Sequence, residues 1–175
     1  YSHDRVYVVE VMGKNSGFIA LYAGLGGGAD AILVPEIEPD LESVVKRVEE
    51  VNRKGREYSI VVVAEGLFGD PISGRSNAES TAFKVGQYVN EKTGKDTRIT
   101  ILGHIQRGGS PSALDRTLGT RFGARATELL LAGETNKMVG WVKNEIKVST
   151  MDEAIAHKNR IDPALYQLTE ILAAV

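Results

Sequence analysis

His104 and Arg107 stand three residues apart in Gly103-His104-Ile105-Gln106-Arg107-Gly108-Gly109-Ser110-Pro111. An arginine grips a phosphate with a planar fork of donors, and neighbouring glycines let backbone N–H groups approach an anion. Taken alone, Gly-Gly-Ser-Pro is better read as a plain turn with Arg107 a solvated charge. Comparable polar groups recur elsewhere in the sequence. Met12-Gly13-Lys14-Asn15 marks a change from an apolar run to a helix start, a natural site for an anion or a hydroxyl. Glu65-Gly66 places a carboxylate just beyond another apolar run, an acceptor that sugar hydroxyls can satisfy. The ordinary readings of these two are Lys14 in solvent and Glu65 as a cap or loop ion pair. Glu36, after Pro35, reads as a loop residue with no assigned role.

These groups need elements to hold them. The run Val6-Tyr7-Val8-Val9-Glu10-Val11-Met12 predicts a buried parallel strand. A helix is expected over 18–25, with Ala20, Ala23 and Gly24 allowing close packing, and Gly26-Gly27-Gly28 stopping it. Residues 31–35 predict a second strand. Asp40 caps a helix whose apolar face is Leu41, Val44, Val45, Val48 and Val51, ending at Asn52-Arg53-Lys54-Gly55. Residues 59–64 predict a third strand and 67–75 a long loop. Ser76-Asn77-Ala78-Glu79 reads as a capping box opening a helix to about residue 91. Alternation over 97–102 predicts the strand before His104. A helix to about Leu131, a strand over 138–142, and helices over 152–157 and 163–174 follow. Alternating βα units with continuous apolar strands predict a three-layer α/β/α fold with a mainly parallel sheet. Ligands bind at the carboxyl ends of such strands, so Lys14, Glu65, His104 and Arg107 are expected to line one pocket. Cations for a phosphate and a carboxylate for hydroxyls together describe a sugar phosphate.

Composition narrows the function classes. The 175 residues carry 21 basic and 23 acidic side chains, interleaved, for a net charge of −2. No basic stripe exists, which disfavours nucleic acid. The absence of cysteine excludes disulfides and thiolate metal sites and permits a reducing compartment. No apolar run reaches the length of a membrane span, and the cytoplasm is the expected location. Tyr1 leads almost directly into a strand, so a preceding segment is expected.

The sequence resembles the sugar-phosphate half of the 6-phosphofructokinases. The resemblance rests on Val8-Val9-Glu10-Val11-Met12-Gly13, Ala31-Ile32-Leu33-Val34-Pro35-Glu36, Val63-Ala64-Glu65-Gly66, and the stretch 102–111 followed by Asp115-Arg116. It implies a phosphofructokinase-like fold and phosphorylation of fructose 6-phosphate at its 1-hydroxyl, a step of glycolysis. Met12 and Gly13 match the family's Met-Gly-Arg turn, with Lys14 departing from Arg and losing the bidentate fork. Lys14 becomes the catalytic candidate. Glu65 matches the acceptor of sugar hydroxyls, and His104 and Arg107 match groups near the 6-phosphate. Arg5 and Arg98 match arginines that reach that phosphate from a neighbouring subunit, which implies a homo-oligomer, a tetramer or dimer. Gly28, Asp30, Lys54 and Arg56 match a nucleotide effector site.

The resemblance also implies a missing partner. No counterpart of the family's donor-phosphate loops or general base appears, so this chain looks like the acceptor half of a longer enzyme. The N-terminal half would hold ATP and most contacts to its Mg2+. Residues 1–107 and 157–175 are expected to form the sugar-phosphate domain. Residues 108–156 are expected to be a helical segment packing on the N-terminal nucleotide-binding domain. Two rivals stay open: a pyrophosphate-dependent enzyme, and a non-catalytic sugar-phosphate or nucleotide sensor.

Overall fold

A computed structural model describes residues 4–69, 80–156 and 160–174. In chain order the elements are β1 (Arg5–Val11), α1 (Phe18–Gly26), β2 (Ala31–Leu33), α2 (Leu41–Arg53), β3 (Tyr58–Ala64), α3 (Thr81–Thr93) and β4 (Asp96–Ile101). A 3-10 turn (Gly103–Arg107), α4 (Ala113–Leu131), β5 (Lys137–Val142), β6 (Glu145–Thr150), α5 (Met151–Ala156) and α6 (Pro163–Ala174) complete the chain. The backbone divides into two compact units, 1–107 with 160–175, and 108–159.

The first unit is a parallel sheet in the order β2-β3-β1-β4. Helices α2 and α3 cover one face, burying Val44, Val48, Val85 and Val89 on Val6, Val8, Val61 and Val63. Helices α1 and α6 cover the other, where Ala20 and Leu21 meet Val11, Ile32, Val62 and Ala64, and Leu165 and Tyr166 pack at the margin. Period-two alternation divides β1 between the layers, as a strand's side chains must. The three-layer mainly parallel arrangement expected from the sequence is the one observed.

Local signals explain most boundaries. Asp40 accepts a hydrogen bond from Ser43 N at 2.9 Å and starts α2. Helix α3 starts at Ser80, which caps Phe83 N. The capping box expected at residues 76–79 lies outside the described residues. The second strand is shorter than expected, stopping at Leu33 before Pro35, which has no N–H to donate to a ladder. Of the three small residues expected to seat α1, Ala20 and Gly24 are buried, whereas Ala23 is exposed.

The second unit is a helix, a hairpin and a short helix. Ser112 and Asp115 form a reciprocal capping box at the start of α4. Strand β5 pairs antiparallel with β6 through a turn at Lys143 and Asn144, both at positive φ. The sequence reading lacked β6, whose Glu145-Ile146-Lys147-Val148 alternation is short and interrupted by charge. Among the described residues of this unit only Leu129 is buried, while Leu114, Leu130, Leu131 and Ile155 are 65–85% exposed.

Candidate functional site

The sheet order sets the site. β1 lies between β3 and β4, so the chain leaving β1 is flanked by the chain leaving each neighbour. Glu65 N donates to Val11 O at 3.0 Å, and Leu102 N donates to Glu10 O at 3.1 Å, which carries the ladder to the very ends of the strands. Met12, Gly13 and Lys14 therefore emerge beside Glu65 on one side and the His104–Arg107 turn on the other. Adjacent strands lie about 5 Å apart, so groups from all three ends share one small region.

His104 and Arg107 are on one turn of 3-10 helix rather than in an irregular loop. That geometry has three residues per turn, so positions i and i+3 eclipse. Their spacing of three thus puts both on one face of the turn, and both are exposed. The turn is closed by Ile105 N to Leu102 O at 3.2 Å and by Gln106 Nε2 to Gly103 O at 3.2 Å.

The β1–α1 turn is held by its neighbours. Lys14 has φ +53°, a left-handed conformation costing a non-glycine residue roughly 1–2 kcal/mol. Oε1 of Glu65 accepts from Lys14 N at 2.7 Å and from Gly13 N at 3.2 Å. These two successive amides form an anion-binding concavity, and the carboxylate of Glu65 occupies it. Gly66 sits so close that a Cβ there would stand 1.8 Å from Lys14 O. At the other end of the turn, Gly17 N donates to Glu36 Oε1 at 2.9 Å and Oε2 at 3.0 Å. Helix α1 has no side-chain cap of its own, and Glu36 supplies the negative charge its N-terminus favours. The helix N-terminus is therefore already occupied by a protein carboxylate.

Glu10 is the third strand-end carboxylate and is 8% exposed. It accepts from Ser80 Oγ at 2.9 Å and Ala82 N at 2.8 Å, fixing the start of α3 against β1. Thr81 Oγ1 donates to Glu65 O at 2.8 Å, tying the same helix start to β3. Sequence reasoning assigned no role to Glu10 or Glu36. Two signals were present: a charge at a core-facing position of β1, and a helix opening on Gly17 with no Ser, Thr, Asp or Asn to cap it.

Arg5 and Arg98 are not brought to these strand ends. Arg5 opens β1, about 20 Å of strand from Val11, and Arg98 lies about 10 Å of strand before Ile101. The two share one carboxylate: Arg5 Nε is 2.9 Å and Arg98 Nη2 3.0 Å from Asp96 Oδ2. The guanidinium of Arg5 is held further above its usual pKa by hydrogen bonding with Tyr7 and then with Asp96.

The remaining residues gather at the opposite end of the sheet. Asp30 precedes β2 and is buried, accepting from Ile60 N at 2.8 Å and pairing with Arg56. Arg56 also stacks 5.4 Å over the Tyr58 ring. Lys54 is the C-cap of α2, and Gly28 is exposed with φ +67°. Both carboxylate oxygens of Asp30 are thus engaged within the chain. Among the described residues no three His, Cys, Asp or Glu side chains converge on a metal position. No described helix is long and apolar enough to cross a membrane.

A profile of the family described as Phosphofructokinase matches residues 1–130. An ATP-dependent 6-phosphofructokinase of Halothermothrix orenii is 48% identical over 98% of this chain and 52% of its own length. One of Bacillus thuringiensis is 46% identical over 98% of this chain and 50% of its own. The chain thus spans about half the length of the relatives it matches. Among solved structures, Saccharomyces cerevisiae phosphofructokinase superposes with a TM-score of 0.74 at 32% identity, over 99% of this chain and 22% of that one. A pyrophosphate-dependent phosphofructokinase of Marinobacter aquaeolei superposes with a TM-score of 0.71 at 25% identity, over 92% of this chain and 43% of that one.

Proposed function

The chain belongs to the phosphofructokinase family, and we propose that it is the sugar-phosphate-binding half of an ATP-dependent 6-phosphofructokinase. The observation that carries this reading is the meeting of Met12–Lys14, Glu65 and the His104–Arg107 turn at three adjoining strand ends. His104 and Arg107 hold the 6-phosphate of fructose 6-phosphate, and Glu65 accepts from the sugar hydroxyls. Met12 and Gly13 form the floor. Lys14 places its ammonium near the 1-hydroxyl, within reach of the transferring phosphoryl group, whose charge is spread over three equatorial oxygens.

The 1-hydroxyl oxygen attacks the terminal phosphorus of ATP, its proton passes to a base in the remaining half of the protein, and ADP leaves. Mg2+ carried with ATP offsets phosphate charge when bound, and its ligands belong mainly to that remaining half. This chain contributes position and charge, which supply most of the rate in phosphoryl transfer. The donor is read as ATP because relatives at 46–48% identity carry that name, whereas a pyrophosphate-dependent neighbour stands at 25%.

Residues 1–107 and 157–175 make the sugar-phosphate domain in this reading. Residues 108–156 pack on the remaining half, which would cover the apolar side chains exposed on α4 and α5. Arg5 and Arg98 serve a neighbouring subunit's phosphate in a homo-oligomer. Gly28, Asp30, Lys54 and Arg56 serve a nucleotide effector. The cytoplasm is the proposed compartment.

Calorimetric titration of the full-length protein with fructose 6-phosphate, against fructose as control, tests the pocket. Arg107→Ala should weaken fructose 6-phosphate by roughly 1.5–3 kcal/mol, about 10- to 150-fold in Kd. Unchanged affinity would remove Arg107 from the site. Turnover with ATP and not pyrophosphate checks the donor.

A further inference from the structure

We propose that Glu36 is a positioning residue for this reaction: gripping Gly17 N, it sets where the β1–α1 turn presents Lys14. The inference rests on the reading of Lys14 as the group nearest the transferring phosphoryl.

Lys14 is in a left-handed conformation that a lysine does not keep unaided. Such a residue stays put only when its surroundings leave it no alternative. The surroundings of this turn act from two sides. Glu65 holds the first end through Gly13 N and Lys14 N, and Gly66 packs against Lys14 O. Between the ends, Ser16 N closes on Gly13 O at 2.9 Å. At the far end the side-chain anchor is the carboxylate of Glu36, which accepts from Gly17 N.

Three features make that anchor stiff. Both carboxylate oxygens engage one N–H, so the group cannot slide along the turn. Glu36 follows Val34, which is 1% exposed, and Pro35, whose φ is fixed. Gly17 is also packed so closely on Val34 and Glu36 that a Cβ there would be 2.4 Å from Val34 Cβ and 2.7 Å from Glu36 Oε2. With one end free, the turn can relax about Lys14 while Glu65 still holds the other, and the ammonium leaves the reacting atoms. Glu65, His104 and Arg107, which grip fructose 6-phosphate in this reading, lie outside the turn, and Glu65 still holds the Gly13 end, so binding survives.

The test is a double-mutant cycle in the full-length protein with Glu36→Ala, Lys14→Ala and the pair. Glu36→Ala is expected to lower kcat by about 10- to 100-fold, the size that a misplacement of about 1 Å produces, with KM for fructose 6-phosphate within about threefold. Glu36→Gln keeps one acceptor and should fall between wild type and Glu36→Ala. In the Lys14→Ala background the Glu36→Ala loss should vanish, because nothing is left to position. A merely structural role lowers Tm without that dependence. Unchanged kcat in Glu36→Ala, or an equal loss with and without Lys14, would overturn the proposal while leaving the role of Lys14 intact. A wild-type kcat in Lys14→Ala alone would overturn both.

Discussion

Substituting Gly17 by Ala probes the packing on which the β1–α1 turn depends. The added Cβ would stand 2.4 Å from Val34 Cβ, 2.5 Å from Val34 Cγ1 and 2.7 Å from Glu36 Oε2. Carbon atoms rest at about 3.5 Å or more, so roughly 1.1 Å must open on the valine side. Val34 is 1% exposed within the layer that contains Leu21 and Val62 and has no room to retreat. As a β-branched residue it has few other rotamers. The turn therefore moves outward, taking Gly17 N from Glu36. Overpacking of this kind costs about 1–3 kcal/mol, or about 2–4 °C of Tm for each kcal/mol in a domain of about 150–250 residues. The displaced turn carries Lys14, so kcat should fall by about tenfold or more. Thermal unfolding and steady-state kinetics of the full-length Gly17→Ala protein read both effects. Wild-type Tm with wild-type kcat would show that the turn absorbs a methyl group freely and would refute the argument.

The core of the first unit is expected to be most sensitive where α1 meets the sheet. Leu21 is fully buried there, and Leu21→Ala should destabilise by about 2–5 kcal/mol, read as a lower urea midpoint. At the start of α4, the Ser112 hydroxyl and then its backbone N–H hold the Asp115 carboxyl below the usual range. Because the folded pKa is depressed, the capping box stabilises above about pH 4, the unfolded value, and its contribution disappears as pH falls through the folded value. A carboxyl NMR titration of Ser112→Ala should show Asp115 moving up toward its ordinary pKa, and an unmoved titration would remove the hydroxyl as the cause.

Much of the fold was legible because its signals are short-range. Asp40 caps α2, the valines of α2 fall on one face, and the apolar runs of β1 and β3 are buried as their composition requires. The hairpin of β5 and β6 was half missed, because short charged alternation carries little pattern. Residues 76–79, read as a capping box, lie outside the described residues. The strand-end rule grouped Lys14, Glu65, His104 and Arg107 from the sequence, resemblance to a family added Met12, and the adjoining ends of β1, β3 and β4 bring their backbones to one region. The eclipsing of His104 and Arg107 needed the 3-10 turn, because a spacing of three fixes a shared face only when the turn type is known.

What the sequence determined by itself is the set of elements, their caps and the polar residues at their ends, since these depend on neighbours within a few positions. Tertiary structure decided which ends meet. It put β1 between β3 and β4, turned Glu65 onto Gly13 and Lys14, and gave Glu36 to Gly17 and Glu10 to Ser80 and Ala82. It also left Arg5 and Arg98 sharing Asp96 far from the strand ends where Arg107 stands. The physical reason is that a backbone N–H beyond a strand end or at a helix start must find an acceptor, and no local rule says from how far along the chain it comes. Here the partners stand 19 to 72 residues apart in sequence, brought together only by the order of the strands.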